Sequence, residues 1–491
     1  MIRKEYVSDD GGEYLRKLQA RAVVIVERKT SRSLGRLLLP SLSSFLHIPF
    51  PEMAPSRGKQ QPKKKGPATD AKKPARQDKT IATSKKSEAQ GAQDEFSSIP
   101  IALQHLLLDI FSSSFPHLLN AAAVDETLNP LLQKVKGHLY ERDFAAAFDK
   151  EEYLQAYAVR WSASRALGYV RILQDALAHL RHGAKDVPHR DAQSTERALG
   201  ALSRPSSKIV CIGGGAGAEL VALAGVQHTV QQTLGSDNST GSRNGPSADV
   251  QQAMGSPNLD IVLVDIADWS GVTKSLHNAI TTSPPLSEFA SASARAASKP
   301  LVSPSSSLLV DFKQQDVLSP DFRIVSLLPQ QVGSLDHDQQ RPILVTLMFT
   351  LNELYSASVS STQRFLLDLT AALPSGASLL VVDSPGSYST VTVGQSEKKY
   401  PMSWLLEHVL LTIAPAVASA KRQEASPSVN LGSNTDAKTG ETERRRRQDD
   451  VPLWDKIISE DSKWNRLPEG CLNYPIELEN MRFQMHLYRR I

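Results

Sequence analysis

The segment Lys208-Ile-Val-Cys-Ile-Gly-Gly-Gly-Ala-Gly-Ala-Glu-Leu220 joins a short β-branched run to five small residues and then to an apolar run of helical character. A buried parallel strand explains Ile209, Val210 and Ile212. The glycines let the chain turn sharply and approach a ligand where a Cβ would collide. Strand, glycine loop and helix in this order predict a site for a nucleotide-like cofactor. Gly213, Gly215 and Ala218 also satisfy a loose dinucleotide fingerprint, so the loop alone leaves nicotinamide and other nucleotide cofactors open.

The next strand is expected over Leu259-Asp-Ile-Val-Leu-Val-Asp-Ile266, which puts Asp265 where an acid accepts hydrogen bonds from a ribose diol. Gly213 and Asp265 are 52 positions apart, against about 20 in an uninterrupted unit. The excess is a Ser, Gly, Asn and Asp-rich insertion near 233–257, too polar to bury apolar area. The α/β rhythm continues through strands expected at Ser306–Phe312, Ile343–Phe349 and Ser378–Asp383. A helix from Thr362 to Leu373 stops at Pro374. Residues 418–450, with Arg444 to Arg447, read as a second low-complexity insertion. At the end, Tyr474–Leu478 and the alternating Phe483, Met485 and Leu487 predict a terminal antiparallel hairpin.

Upstream, residues 97–186 read as a helical domain. Asp149 and Glu152 have capping-box spacing, and Leu167, Val170, Leu173, Leu177 and Leu180 recur at three and four. Up to Glu95 the chain carries 20 Lys and Arg against 11 Asp and Glu, which leaves 36 against 41 in the remainder. Residues 1–96 are therefore expected to be a disordered basic arm that attracts polyanions or import machinery. Within it, Met53 is an alternative start, with residues 1–52 a gene-model extension. Two cysteines, Cys211 and Cys471, provide no disulfide framework, and no His or Cys spacing suggests a metal. No apolar run approaches the roughly 18 residues that span a bilayer. The expectation is a metal-free monomer without a membrane partner, in the nucleus, nucleolus or cytoplasm rather than the mitochondrion.

A parallel α/β sheet ending in an antiparallel hairpin resembles the Rossmann-like class I methyltransferase fold. FTLNELY (Phe349–Tyr355), RWSASRAL (Arg160–Leu167), DSKWNRLP (Asp461–Pro468) and LENMRFQMHLYRR near the end resemble fungal 25S ribosomal RNA uridine-N3-methyltransferases. The resemblance spans roughly Ile99 to Ile491 without the insertions. It implies an S-adenosylmethionine-dependent enzyme that methylates a uridine ring nitrogen of rRNA, free or in a pre-ribosomal particle. Gly213, Gly214, Gly215 and Gly217 would wrap the methionine part, Asp265 the ribose, and Asp316 the adenine amine. The family commonly has an acid two positions before the first glycine. Cys211 stands there in this chain, which makes Glu219 the substitute.

Methylating a ring nitrogen requires in-line positioning and removal of a proton. Glu353 and Asp383 are the candidate bases, and Asn352 a hydrogen-bond partner for the pyrimidine edge or the cofactor. Arg160, Trp161, Arg165, Trp464, Arg466 and Arg482 are the candidate RNA contacts, with Arg489 and Arg490 as further phosphate ligands and Tyr388 as a further stacking ring. Three rival readings remain: a protein or small-molecule methyltransferase, a non-catalytic RNA-binding assembly factor with this fold, and a nicotinamide-cofactor enzyme.

Overall fold

The computed structural model describes residues 99–179, 207–236, 258–284, 289–329, 341–386, 388–393, 396–425 and 451–491. The basic arm, the end of the helical region and most of both insertions lie outside the described residues. The helix after the glycine loop continues to Ser236, and another covers Ala414–Ala425, so each insertion begins later than composition suggests.

Seven strands form one sheet: β1 (Ser207–Ile212), β2 (Leu259–Asp265), β3 (Leu308–Gln314), β4 (Ile343–Met348), β5 (Ser378–Asp383), β8 (Trp454–Asn465) and β9 (Met481–Arg490); β6 (Tyr388–Val393) and β7 (Ser396–Pro401) pair in a separate two-stranded sheet. Their order is β3-β2-β1-β4-β5-β9-β8. The first five are parallel, and β9 runs antiparallel to both β5 and β8. Every residue of β4 and β5 is buried, as expected for strands covered on both faces. Alternation in β1 divides the core: Ile209 and Cys211 enter one hydrophobic cluster, Val210 and Ile212 the other. The first cluster also takes in helices α1 (Ile101–Ser114), α2 (Ala163–His179), α3 (Ala218–Ser236) and α4 (Ser270–Thr281), so the helices upstream of the glycine loop pack directly on the sheet. The second cluster holds α5 (Leu351–Ala357), α6 (Val359–Ala372) and α7 (Met402–His408).

Three local expectations are corrected. The hairpin partner of β9 is Trp454–Asn465, whereas Tyr474–Leu478 forms only bends. Strand β8 is an edge strand with register shifts at Lys456/Ile458 and Glu460/Lys463, so its sequence loses the period of two that marks a strand. The helix at Glu151 has Lys150 at its N-cap and no side-chain cap bond, so Asp149 does not cap it. The helical run Met402–Ala420 is 19 residues with mean hydropathy 1.3, long and apolar enough by composition to cross a membrane. Glu407, His408 and Thr412 interrupt its apolar run in sequence, while Met402, Leu405, Leu406, Val409 and Leu410 lie in the core beneath the sheet.

Candidate active site at the carboxyl ends of the strands

The turn after β1 works because two of its glycines take positive φ, +74° at Gly213 and +84° at Gly217. The Gly213 amide donates to Val264 O at 2.8 Å, which ties the loop to β2. A Cβ on Gly215 would collide with the Trp269 ring and approach Asp265 Cβ to 2.9 Å, so this side of the loop is closed to any side chain. One on Gly213 would run into the Thr350 side chain.

Asp265, at the tip of β2, is half-buried. Its Oδ2 accepts from the Gly215 amide at 3.2 Å and its Oδ1 from the Ala267 amide at 3.3 Å. Burial pushes its carboxyl up to about 6, against the opposing pull of these amides. Glu219 folds back beneath the loop. It is 3 % exposed, and its Oε1 accepts from Thr346 Oγ1 at 2.6 Å in β4. Burial raises it to about 7, and its side chain also bonds Cys211, whose thiol burial pushes up strongly. Glu219 thus brings a carboxyl group next to Cys211 from the helix side. Asp316 follows β3 in an exposed turn, accepting from the Leu318 amide at 2.8 Å.

Beside this cradle, β2 and β3 open into a cavity of about 590 Å³ lined by Phe144, Phe148, Ile266, Asp268, Gly271 and Gln314 among others. Ile266 is 64 % exposed, an apolar side chain left free at the strand end. The cavity does not reach Asp383.

The second half of the site is built on β4 and β5. Asp383, 3 % exposed, accepts from the Asn352 amide at 3.0 Å and the Ser384 amide at 2.8 Å. Burial raises its carboxyl to about 6; the two amides lower it, and Glu353 adds to the rise. Asn352 Oδ1 is buried without a hydrogen-bond partner. Such an acceptor costs about 1–3 kcal/mol unless something donates to it. Glu353 is 39 % exposed at its side chain and pairs with Arg142 at 2.6 Å.

Between the halves stands Phe349, with φ +58°, a strained conformation for a bulky residue and one that clusters at functional sites. Its ring lies 4.8 Å below the Arg165 guanidinium. A π-helical turn at Ala158–Ser162 precedes α2, and Tyr157 and Trp161 pack at 4.8 Å between ring centroids. Arg165 Nη1 donates to Tyr157 Oη at 2.9 Å.

The candidate RNA contacts separate. Arg160 is committed to Glu479 and its side chain is only 11 % exposed; Trp161 is half-buried against the core. Arg489 and Arg490 lie at the opposite end of the sheet, because β9 is antiparallel to β5 and Arg489 pairs with Ser378. Their guanidiniums serve the backbone oxygens of His179, Thr370 and Leu453. Trp464, Arg466 and Arg482 remain together: Trp464 is 44 % exposed, with the guanidiniums of Arg466 and Arg482 at 5.2 and 5.7 Å from its ring. Trp464 pairs with Arg482, two residues beyond the Gln484 that pairs with Asp383, so this cluster belongs to the same strand ends as the site. The side chain of Tyr388 lies outside those described. Among the described residues no group of three or more His, Cys, Asp or Glu is arranged for a metal. Sequence reasoning missed Trp269, Thr346, Arg142 and the strain at Phe349; only the spacing of Trp269 four residues after Asp265 offered a signal.

The glycine cradle that no Cβ may enter, the acid at the tip of β2 and the cavity beside it, which joins Phe144, Phe148 and Ile266 to Asp268 and Gln314, fit S-adenosylmethionine. A family model described as "Putative SAM-dependent methyltransferase" matches residues 111–489. The chain is 30 % identical over 385 residues to the 25S rRNA (uridine(2843)-N(3))-methyltransferase of Saccharomyces cerevisiae, covering 78 % of this chain and 84 % of that protein. Among solved structures, a loganic acid methyltransferase with S-adenosylhomocysteine is 9 % identical over 62 % of this chain and 75 % of its own, with a TM-score of 0.25. An S-adenosylmethionine-dependent methyltransferase from Clostridium acetobutylicum is 8 % identical over 65 % and 97 %, with a TM-score of 0.21. With its seven-stranded sheet ending in the antiparallel β9 and β8, the chain belongs to the S-adenosylmethionine-dependent methyltransferase family.

Proposed function

We propose that this chain methylates N3 of a uridine in large-subunit ribosomal RNA. The observation that carries the substrate is the similarity to the yeast 25S rRNA enzyme, which extends over 385 residues and 78 % of this chain. When bound, S-adenosylmethionine supplies a methyl group activated by its positive sulfur. The protein's part is to hold the uracil nitrogen in line with that methyl and to take its proton.

Asn352 and Asp383 divide this work. Asn352 fixes the pyrimidine edge by donating from its carboxamide Nδ2 to a uracil carbonyl oxygen, which leaves the N3–H to the base. Asp383 is the better base of the two carboxylates: it is buried and its basicity is raised, whereas Glu353 is held at the surface by Arg142. As the N3–C bond forms and the S–C bond breaks, the N3 proton passes to Asp383, leaving S-adenosylhomocysteine and 3-methyluridine. The Gly213–Gly217 loop and Glu219 hold the methionine part, and Asp265 the ribose. Asp316 meets the adenine amine at the end of β3.

Trp464, Arg466 and Arg482 form the RNA-facing edge. An exposed indole offers a stacking face to an unpaired base, and the arginines neutralise phosphates. This role places the protein with ribosomal RNA or its precursor particle, in the nucleus or nucleolus. Incubation with large-subunit rRNA lacking the modification and with labelled cofactor should place the label on uridine N3. In that assay Trp464→Ala should raise KM for RNA about tenfold, in line with the loss of one stacked base, and leave kcat nearly unchanged. Label on another nucleoside, or an unchanged KM, would count against the respective assignment.

A further inference from the structure

Arg165 stands over the junction of the two half-sites, and its charge has no counterpart. Its guanidinium is half-buried, walled by the rings of Phe349 and Tyr157 at 4.8 and 5.9 Å. One donor is spent on Tyr157 Oη. Among the described residues no carboxylate lies within ion-pair distance of it, whereas Arg142 and Arg160 each have one. Its field is felt both by Glu219 under the glycine loop and by Asp383 at the end of β5. A cation removed from water without a partner is costly, and the planar fork of arginine matches a carboxylate with two parallel hydrogen bonds.

We propose that Arg165 binds the α-carboxylate of the cofactor's methionine part, which makes it a cofactor residue rather than an RNA contact. This rests on the reading of the chain as a methyltransferase whose glycine loop holds that part. Glu219, Asp265 and Asp383 already bring three carboxyl groups to these strand ends, so a further carboxylate enters only beside a cation, and Arg165 is placed to supply it. Phosphates of RNA meet their cations at the exposed edge, at Arg466 and Arg482, whereas Arg165 lies inward of the Tyr157 and Phe349 rings. The strained φ of Phe349 also gains a purpose, because it sets the aromatic face against the guanidinium.

The test is equilibrium binding of S-adenosylmethionine and of decarboxylated S-adenosylmethionine, which keeps the amine and lacks only the carboxylate, to the full chain and its variants. Wild type should prefer the intact cofactor by about 10- to 100-fold, the span of hydrogen bonds to a charged group. Arg165→Gln should lose that preference while binding the decarboxylated compound as well as wild type does. Arg165→Lys, which keeps the charge and loses the fork, should fall between them. Equal weakening of both compounds in both variants, or no weakening at all, would overturn the proposal while leaving the enzyme a methyltransferase. Failure of the wild-type chain to bind either compound would overturn the cofactor assignment and the proposal with it.

Discussion

Asp383→Asn is expected to slow methyl transfer about 10²- to 10⁴-fold, the usual contribution of a positioned general base, while S-adenosylmethionine binds with nearly unchanged affinity. Asparagine keeps one oxygen to accept from Asn352 or Ser384, so the β5 turn survives while the proton acceptor is lost. The pH profile carries the same signature. Burial raises the Asp383 carboxyl to about 6, so the base is protonated and idle below that pH. Wild-type kcat should rise about tenfold per pH unit up to roughly pH 6 and level off above it. In Asp383→Asn that limb should vanish. Single-turnover rates across this range measure both effects, and a variant that kept the wild-type rate and profile would remove Asp383 from the chemistry.

The second large effect is at the loop. Gly215→Leu should weaken cofactor binding by more than about 100-fold, or about 2.7 kcal/mol, because even a Cβ there meets Trp269 and Asp265. The larger side chain also displaces the amide that Asp265 accepts from. Titration with S-adenosylhomocysteine reads the loss, and a thermal melt checks that the sheet persists. Gly376 provides the control: a Cβ there meets nothing within 4 Å, although its φ of +85° still disfavours a side chain. Gly376→Ala should therefore cost stability of order 1 kcal/mol without touching cofactor affinity.

Strands β1, β2, β4 and β5 were legible because burial on both faces demands continuous apolar runs, and such runs stand out between glycines and polar loops. The antiparallel β9 announced itself through Phe483, Met485 and Leu487. Its partner β8 did not, since a bulged edge strand with one solvated face has neither the composition nor the period of a buried one. The cofactor half of the site was legible for the same local reason: loop, acid and helix are consecutive in a β-α-β unit. The RNA half was not. Arg160 looked free in sequence, and its partner Glu479 lies 319 positions away. Arg489 looked close to Arg482, yet seven residues of extended strand carry it to the other end of the sheet. Glu219 stands between these cases: its neighbourhood to the loop was visible, and its turn beneath Gly214 towards Cys211 and Thr346 required the fold.

Nucleoside mass spectrometry of large-subunit rRNA from cells lacking this protein tests the central assignment most directly. The account predicts a loss of 3-methyluridine that the wild-type chain restores and Asp383→Asn does not. An unchanged level of 3-methyluridine in those cells would contradict it.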